Sequence, residues 1–156
     1  MKRYWLFWLC LWVVWGCVKP PEYPVEPVIE YKSLSDLDIL QTADTSVLEF
    51  GFTDGDGDIG LQDDEVGFDI FLTDSRTGFV EKYRLPHIKP QGATRGISGT
   101  VRIRLLATCC IPTTRPACEM NPNQVPDTLS YAVQIKDLAG HLSNVVETQR
   151  IVLRCH

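Results

Sequence analysis

The sequence predicts an all-β domain, a sandwich of about seven antiparallel strands, and three observations carry that prediction. From residue 28 onward, apolar and polar residues alternate in short runs, the period-two pattern of strands with one buried face. Glycine, proline, asparagine, aspartate or serine bounds each run, and no stretch of the region repeats apolar residues at helical spacing. The length, 156 residues, accommodates one domain with one core plus a targeting segment.

In chain order, the first predicted strand covers residues 28–34. The second, 46–53, puts Leu48, Phe50 and Phe52 on one face, and the third, 67–73, does the same with Phe68, Ile70 and Leu72. A turn through Asp74 and Gly78 leads to the fourth, 79–85. The fifth, 100–108, points Val101, Ile103, Leu105 and Ala107 one way and Arg102 and Arg104 the other. The sixth, 128–136, turns Leu129, Tyr131, Val133 and Ile135 inward, and the seventh is 145–153. Two such sheets can bury their inward faces against each other. Strand number, length and spacing indicate an immunoglobulin-like β-sandwich over residues 28–156.

Residues 1–27 have a different composition. A basic start (Lys2, Arg3) precedes the apolar run 4–16 and then Cys17, the shape of a signal peptide. A transmembrane helix needs about 20 apolar residues, more than lie between Arg3 and Lys19. Val13-Val-Trp-Gly-Cys17 resembles the lipobox of bacterial lipoproteins, with Gly16 before the cysteine and an aliphatic residue three positions upstream. That resemblance implies cleavage after residue 16 and acylation of Cys17 by chains such as palmitate; a secretory peptide cut elsewhere is the alternative. All four tryptophans lie in the segment to be removed. Residues 17–27 then form a lipidated, proline-rich linker, an extended spacer reaching about 30 Å. With Lys2 and Arg3 lost, the formal charge moves from −5 to −7. An acidic mature chain argues against nucleic acid as a partner and against electrostatic docking on anionic lipid.

Between the second and third strands, Asp54, Asp56, Asp58, Asp63, Asp64 and Glu65 fall within twelve residues. Aspartates two apart, separated by glycines, can turn their carboxylates around one hard cation. Counting Asp54 as position one puts Asp56 at three, Asp58 at five, Gly60 at seven and Glu65 at twelve, the ligand spacing of an EF-hand loop. Ile59 stands where that loop has glycine, and strands replace the flanking helices. All-oxygen donors favour Ca²⁺ in a structural role; a solvated Asp-Gly turn is the alternative. If neighbouring strands run antiparallel, the acidic loop, residues 86–99 and residues 137–144 share a pole, which adds Asp137 and Asn144 as oxygen donors.

The opposite pole collects Cys109, Cys110, Cys118 and Cys155. Four exported cysteines read as two disulfides. Adjacent residues of an extended chain point to opposite sides, so one of Cys109 and Cys110 pairs with Cys118 and the other with Cys155, in either assignment. A four-cysteine zinc site is the alternative, against which stand oxidising export and the absence of Cys-x-x-Cys spacing.

Residues 131–148, with Asp137-Leu-Ala-Gly140 at the turn, resemble the final hairpin of bacterial immunoglobulin-like domains. Together with the lipobox, Phe52-Thr-Asp-Gly-Asp-Gly-Asp-Ile-Gly60 and Thr108-Cys-Cys110, they make the chain similar to small lipoproteins of Bacteroidetes-type bacteria. That resemblance implies no activity; Val18 and Lys19 after Cys17, with no inner-membrane-type aspartate, resemble outer-membrane sorting. The function expected is a lipid-anchored cell-envelope binding or structural module, stabilised by Ca²⁺ and disulfides, whose partner is an envelope protein or glycan. No nucleophile elbow or phosphate loop is present, so no catalytic residue is assigned. The alternatives are a metal-dependent hydrolase using His87 and His141 with Asp58, and a glycan-binding accessory, for which the mature chain offers no tryptophan platform.

Overall fold

The computed structural model describes residues 22–89, 96–105, 108–112, 116–119 and 125–155. The expected signal peptide, Cys17 and the first part of the expected linker lie outside these residues, as does Ala107. The described chain is all-β and contains ten strands: β1 (Val28–Leu34), β2 (Asp38–Leu40), β3 (Ser46–Asp54), β4 (Ile70–Asp74), β5 (Val80–Tyr83), β6 (Ile97–Leu105), β7 (Asp127–Leu129), β8 (Tyr131–Ile135), β9 (Val146–Glu147) and β10 (Ile151–Arg154). No helix long and apolar enough to cross a membrane occurs among the described residues.

Two antiparallel sheets face each other, one ordered β1-β3-β6 and the other β5-β4-β8-β9. This order is like that of an immunoglobulin-type sandwich, with the fourth principal strand, β5, paired to the third, β4, instead of joining the sheet of the first, second and fifth. The alternation seen in the sequence does the packing. Leu48, Phe50 and Phe52 of β3, Leu72 of β4 and Val133 and Ile135 of β8 are almost wholly buried, each contributing roughly 2 kcal/mol of hydrophobic stabilisation.

The strand count exceeds the expected seven for three local reasons. The sixth predicted strand stays extended but changes partners at Ser130: β7 pairs with β10, whereas β8 pairs with β4 and β9. Ser75 fixes this change by donating from its amide to the Ser130 carbonyl and accepting the Ser130 amide on Oγ. The seventh is interrupted at Thr148, whose Oγ1 accepts the Tyr131 amide at 2.9 Å. The third difference is β2, absent from the sequence reading. It has three residues, only Ile39 is fully buried, and it lies parallel to β10, so not every strand pair is antiparallel. β2, β10 and β7 form a third sheet that closes one end.

The third predicted strand also begins later than its pattern suggests. Phe68 was expected on the inward face with Ile70 and Leu72, yet it is 49 % exposed, while Asp69 is buried. The backbone explains the switch. Asp69 donates its amide to the Tyr83 carbonyl, accepts the Lys136 amide on its own carbonyl and takes the Leu85 amide on Oδ1. Three elements are thereby joined at one residue, and the regular ladder starts at Ile70.

β3 runs toward the acidic loop, β6 starts there opposite Asp54, and β1 starts there opposite Thr53. The far ends of β3 and β6 approach Thr108 and the cysteines, where β2 and β10 also end.

Candidate metal centre

β3 carries Asp54 to the edge of the sandwich, and the chain then turns sharply. Asp54 Oδ2 accepts the amides of Gly57 at 2.7 Å and Asp58 at 3.1 Å, while Gly57 takes a φ of 74°, a conformation that costs glycine little. Ile59 follows, 1 % exposed. This position, where an EF-hand has glycine, is an anchor that plugs the loop into the core. Gly60, with φ 89°, then lies so close to the next segment that a Cβ would sit 2.4 Å from the Pro86 carbonyl oxygen. A short parallel bridge joins Leu61 to Pro86. Around it, Leu61 donates to the Leu85 carbonyl, His87 to Leu61 and Ile88 to Ile59.

Held this way, Asp54, Asp56 and Asp58 each bring a carboxylate oxygen within 4.8 Å of those of the other two. Asp54 is fully buried. Its second oxygen, Oδ1, is buried without a hydrogen-bond partner, and so are Oδ1 of Asp56 and Oδ1 of Asp58. A buried acceptor left unpaired costs about 1–3 kcal/mol, more if charged. Three such oxygens on three clustered residues are not explained by a turn, because the turn's own hydrogen bonds use Asp54 Oδ2. The electrostatics point the same way. Burial, then the neighbouring charges of Asp56 and Asp58, push the Asp54 carboxyl up to about 6 against the pull of its two amide donors. The Asp58 carboxyl is also raised, by burial first and then by Asp137 and Asp56.

The other residues expected at this site divide into two groups. Asp137 reaches the pole, for Asp58 accepts the Leu138 amide on its carbonyl and the Ala139 amide on Oδ2, both at 3.1 Å. The Asp137 carboxylate is already used: Oδ1 accepts the His141 amide at 2.7 Å and Oδ2 faces His141 Nδ1 at 2.8 Å. That contact raises the pKa of His141. Asn144 has a different task. Its Oδ1 accepts the Ile29 amide and its Nδ2 donates to the Ile29 carbonyl, at 2.8 and 2.9 Å, so this side chain mimics a strand partner for β1. Glu65 Oε2 accepts the Gln62 amide at 2.7 Å and stands outside the three-aspartate group. The Gly60 carbonyl faces His87 Nδ1 at 3.4 Å. The two histidines thus face Gly60 and Asp137, and neither shares the aspartate cluster.

Sequence reasoning missed Asp69, whose Oδ2 is a further buried, unpartnered oxygen and whose pKa burial raises. Its signal was one polar residue at an outward position of an apolar strand, which period-two reading assigns to solvent.

At the opposite pole the cysteines pair as Cys109–Cys118 and Cys110–Cys155, which resolves the open assignment; all four sulfurs are consumed, and the zinc alternative with them. Cys110 and Cys155 are buried in the core, with the Cys110 amide donating to Gln41 Oε1. Beside them Arg76 grips Asp74 through Nε and Nη2, and through Nη1 it reaches Asp127 and the Cys109 carbonyl.

No protein-family model, curated protein or solved structure matches the chain.

Proposed function

We propose that the chain is a lipid-anchored module of the cell envelope, a binding or structural domain whose acidic pole is held in shape by Ca²⁺ on Asp54, Asp56 and Asp58. One observation carries the cation: three aspartates bring carboxylate oxygens within 4.8 Å of one another, and each of the three has a buried oxygen without a hydrogen-bond partner. A divalent ion supplies the missing partner for all three and offsets their mutual repulsion. Carboxylate donors suit a hard cation, and a loop with irregular geometry suits Ca²⁺ better than Mg²⁺, which demands a near-octahedral shell. The role is structural, because the loop bridges the two sheets: Ile59 enters the core, Leu61 pairs with Pro86 and Asp58 holds Leu138 and Ala139.

The anchor rests on the lipobox and the charge. Cys17 carries the acyl chains, residues 18–21 begin the linker, and the absence of an acidic residue after Cys17 fits outer-membrane sorting. The partner is an envelope protein or glycan.

Thermal unfolding in EDTA and in millimolar Ca²⁺ tests the cation. At a hundredfold excess over Kd, binding adds about 2.7 kcal/mol, which raises Tm by several degrees, and Asp56→Asn removes most of that rise. Identical melting curves for the unaltered protein in the two buffers refute the assignment. For the anchor, Cys17→Ser should move the protein from the membrane fraction to the soluble one and abolish labelling by palmitate.

A further inference from the structure

The linker was expected to be a spacer alone, yet its last residues lie on the domain at the acidic pole. Gly55, between Asp54 and Asp56, is where they touch. A Cβ there would fall 2.4 Å from the Tyr23 carbonyl oxygen and 2.6 Å from that of Pro24, so the linker backbone occupies the space of a side chain. Gly96 completes the seat: its Cβ would lie 3.1 Å from the Tyr23 ring and 3.3 Å from the Asp54 carbonyl oxygen. Pro27 is buried, and Val28 pairs with Thr53, immediately before the first aspartate.

These contacts form a closed circuit. The linker rests on Gly55; the aspartates on either side of Gly55 converge with Asp58; Asp58 holds Leu138 and Ala139; and the same turn ends in Asn144, which clamps Ile29 at the start of the first strand. We infer that cation binding by the acidic loop and seating of residues 22–27 are coupled, so that a bound cation locks the linker onto the domain and fixes the domain's orientation on its tether. The inference rests on the cation reading above and adds regulation to it. Without a cation, repulsion among three carboxylates opposes the one loop shape whose outer side accepts the linker. With the cation bound, that shape is held. Coupling is reciprocal, so a seated linker must tighten cation binding by the same factor.

Gly55 makes the coupling testable. Its φ is not positive, so alanine can adopt its backbone conformation, and the added methyl acts by displacing Tyr23 and Pro24. The experiment uses the full chain in detergent micelles, with Ca²⁺ affinity measured by calorimetry and hydrogen exchange followed at the amides of Tyr23, Val25 and Glu26. In the unaltered protein Ca²⁺ should slow exchange at these amides about tenfold. Gly55→Ala should abolish that protection and weaken Ca²⁺ binding about tenfold, and Tyr23→Ala, a change in the linker itself, should weaken it in the same direction. If the unaltered protein binds Ca²⁺ while linker exchange is unchanged and both variants keep the original Kd, the coupling is wrong and the cation site stands. If the unaltered protein binds no Ca²⁺, both fall together.

Discussion

Arg76 shows how much one side chain can organise. Its guanidinium makes a two-pronged contact with Asp74, 3.1 Å from Nε and 2.7 Å from Nη2, and a third contact of 2.6 Å with Asp127. Burial alone would raise the Asp74 carboxyl, but the hydrogen bonds and charge of Arg76 outweigh it and the pKa ends below the ordinary value. The folded state therefore binds fewer protons than the unfolded chain near pH 3–4, where free aspartate titrates. The stabilisation is complete above the unfolded pKa and disappears as pH falls through the lower folded one. Asp74→Asn should cost about 3 kcal/mol at pH 7, the scale for breaking a largely buried pair. Urea unfolding from pH 7 to pH 2 should show the gap between wild type and variant narrowing only below about pH 4; a gap independent of pH would deny the ion pair its role. None of this partnership could be read from Asp74, Arg76 and Asp127 as letters, since the third lies 51 positions from the second.

At the scale of elements, the two disulfides fasten different things. Cys109–Cys118 closes a loop of separation 9, whereas Cys110–Cys155 joins positions 45 apart and ties the C-terminal strand β10 into the core. On loop-closure entropy the first is worth about 2.5 kcal/mol and the second about 4 kcal/mol. Replacing each pair by alanines and measuring ΔG of unfolding should reproduce that order, and a larger loss from the shorter loop would overturn it. The existence of two bridges was legible from four cysteines in a chain whose N-terminal sequence reads as an export signal. Their assignment was not, because adjacent cysteines present both choices equally until β10 and the Cys110 side chain are placed. β2 was illegible for a related reason: three residues with one buried side chain carry too little pattern, and only β10 alongside makes them a strand.

The whole molecule separates two kinds of stabilisation. β3 spans nine residues, about 30 Å at strand rise, with the aspartate cluster starting at its last residue, Asp54, and the cysteines near the other end. Changes that far apart should act independently. Combining Asp56→Asn with the loss of Cys109–Cys118 should give a destabilisation in Ca²⁺ equal to the sum of the two, to within about 0.5 kcal/mol. A clear departure from additivity in equilibrium unfolding would mean that the sandwich transmits strain between its poles. The proposed tether lock belongs to this scale as well, since it joins the linker, both sheets and the acidic loop at one end.

The sequence by itself determined the all-β class, the inward faces of most strands, the two-disulfide content and the composition of the acidic loop, because each follows from local period, spacing or residue chemistry. Parity along an antiparallel chain even brought Asp137 to the right pole. Only the tertiary structure decided which carboxylate oxygens are left without partners, that Asn144 serves β1, that Asp69 and Phe68 exchange sides, and that the linker sits on Gly55. Those outcomes depend on which backbone donors arrive from distant segments, and a buried polar atom is satisfied or stranded by neighbours that the local sequence does not contain.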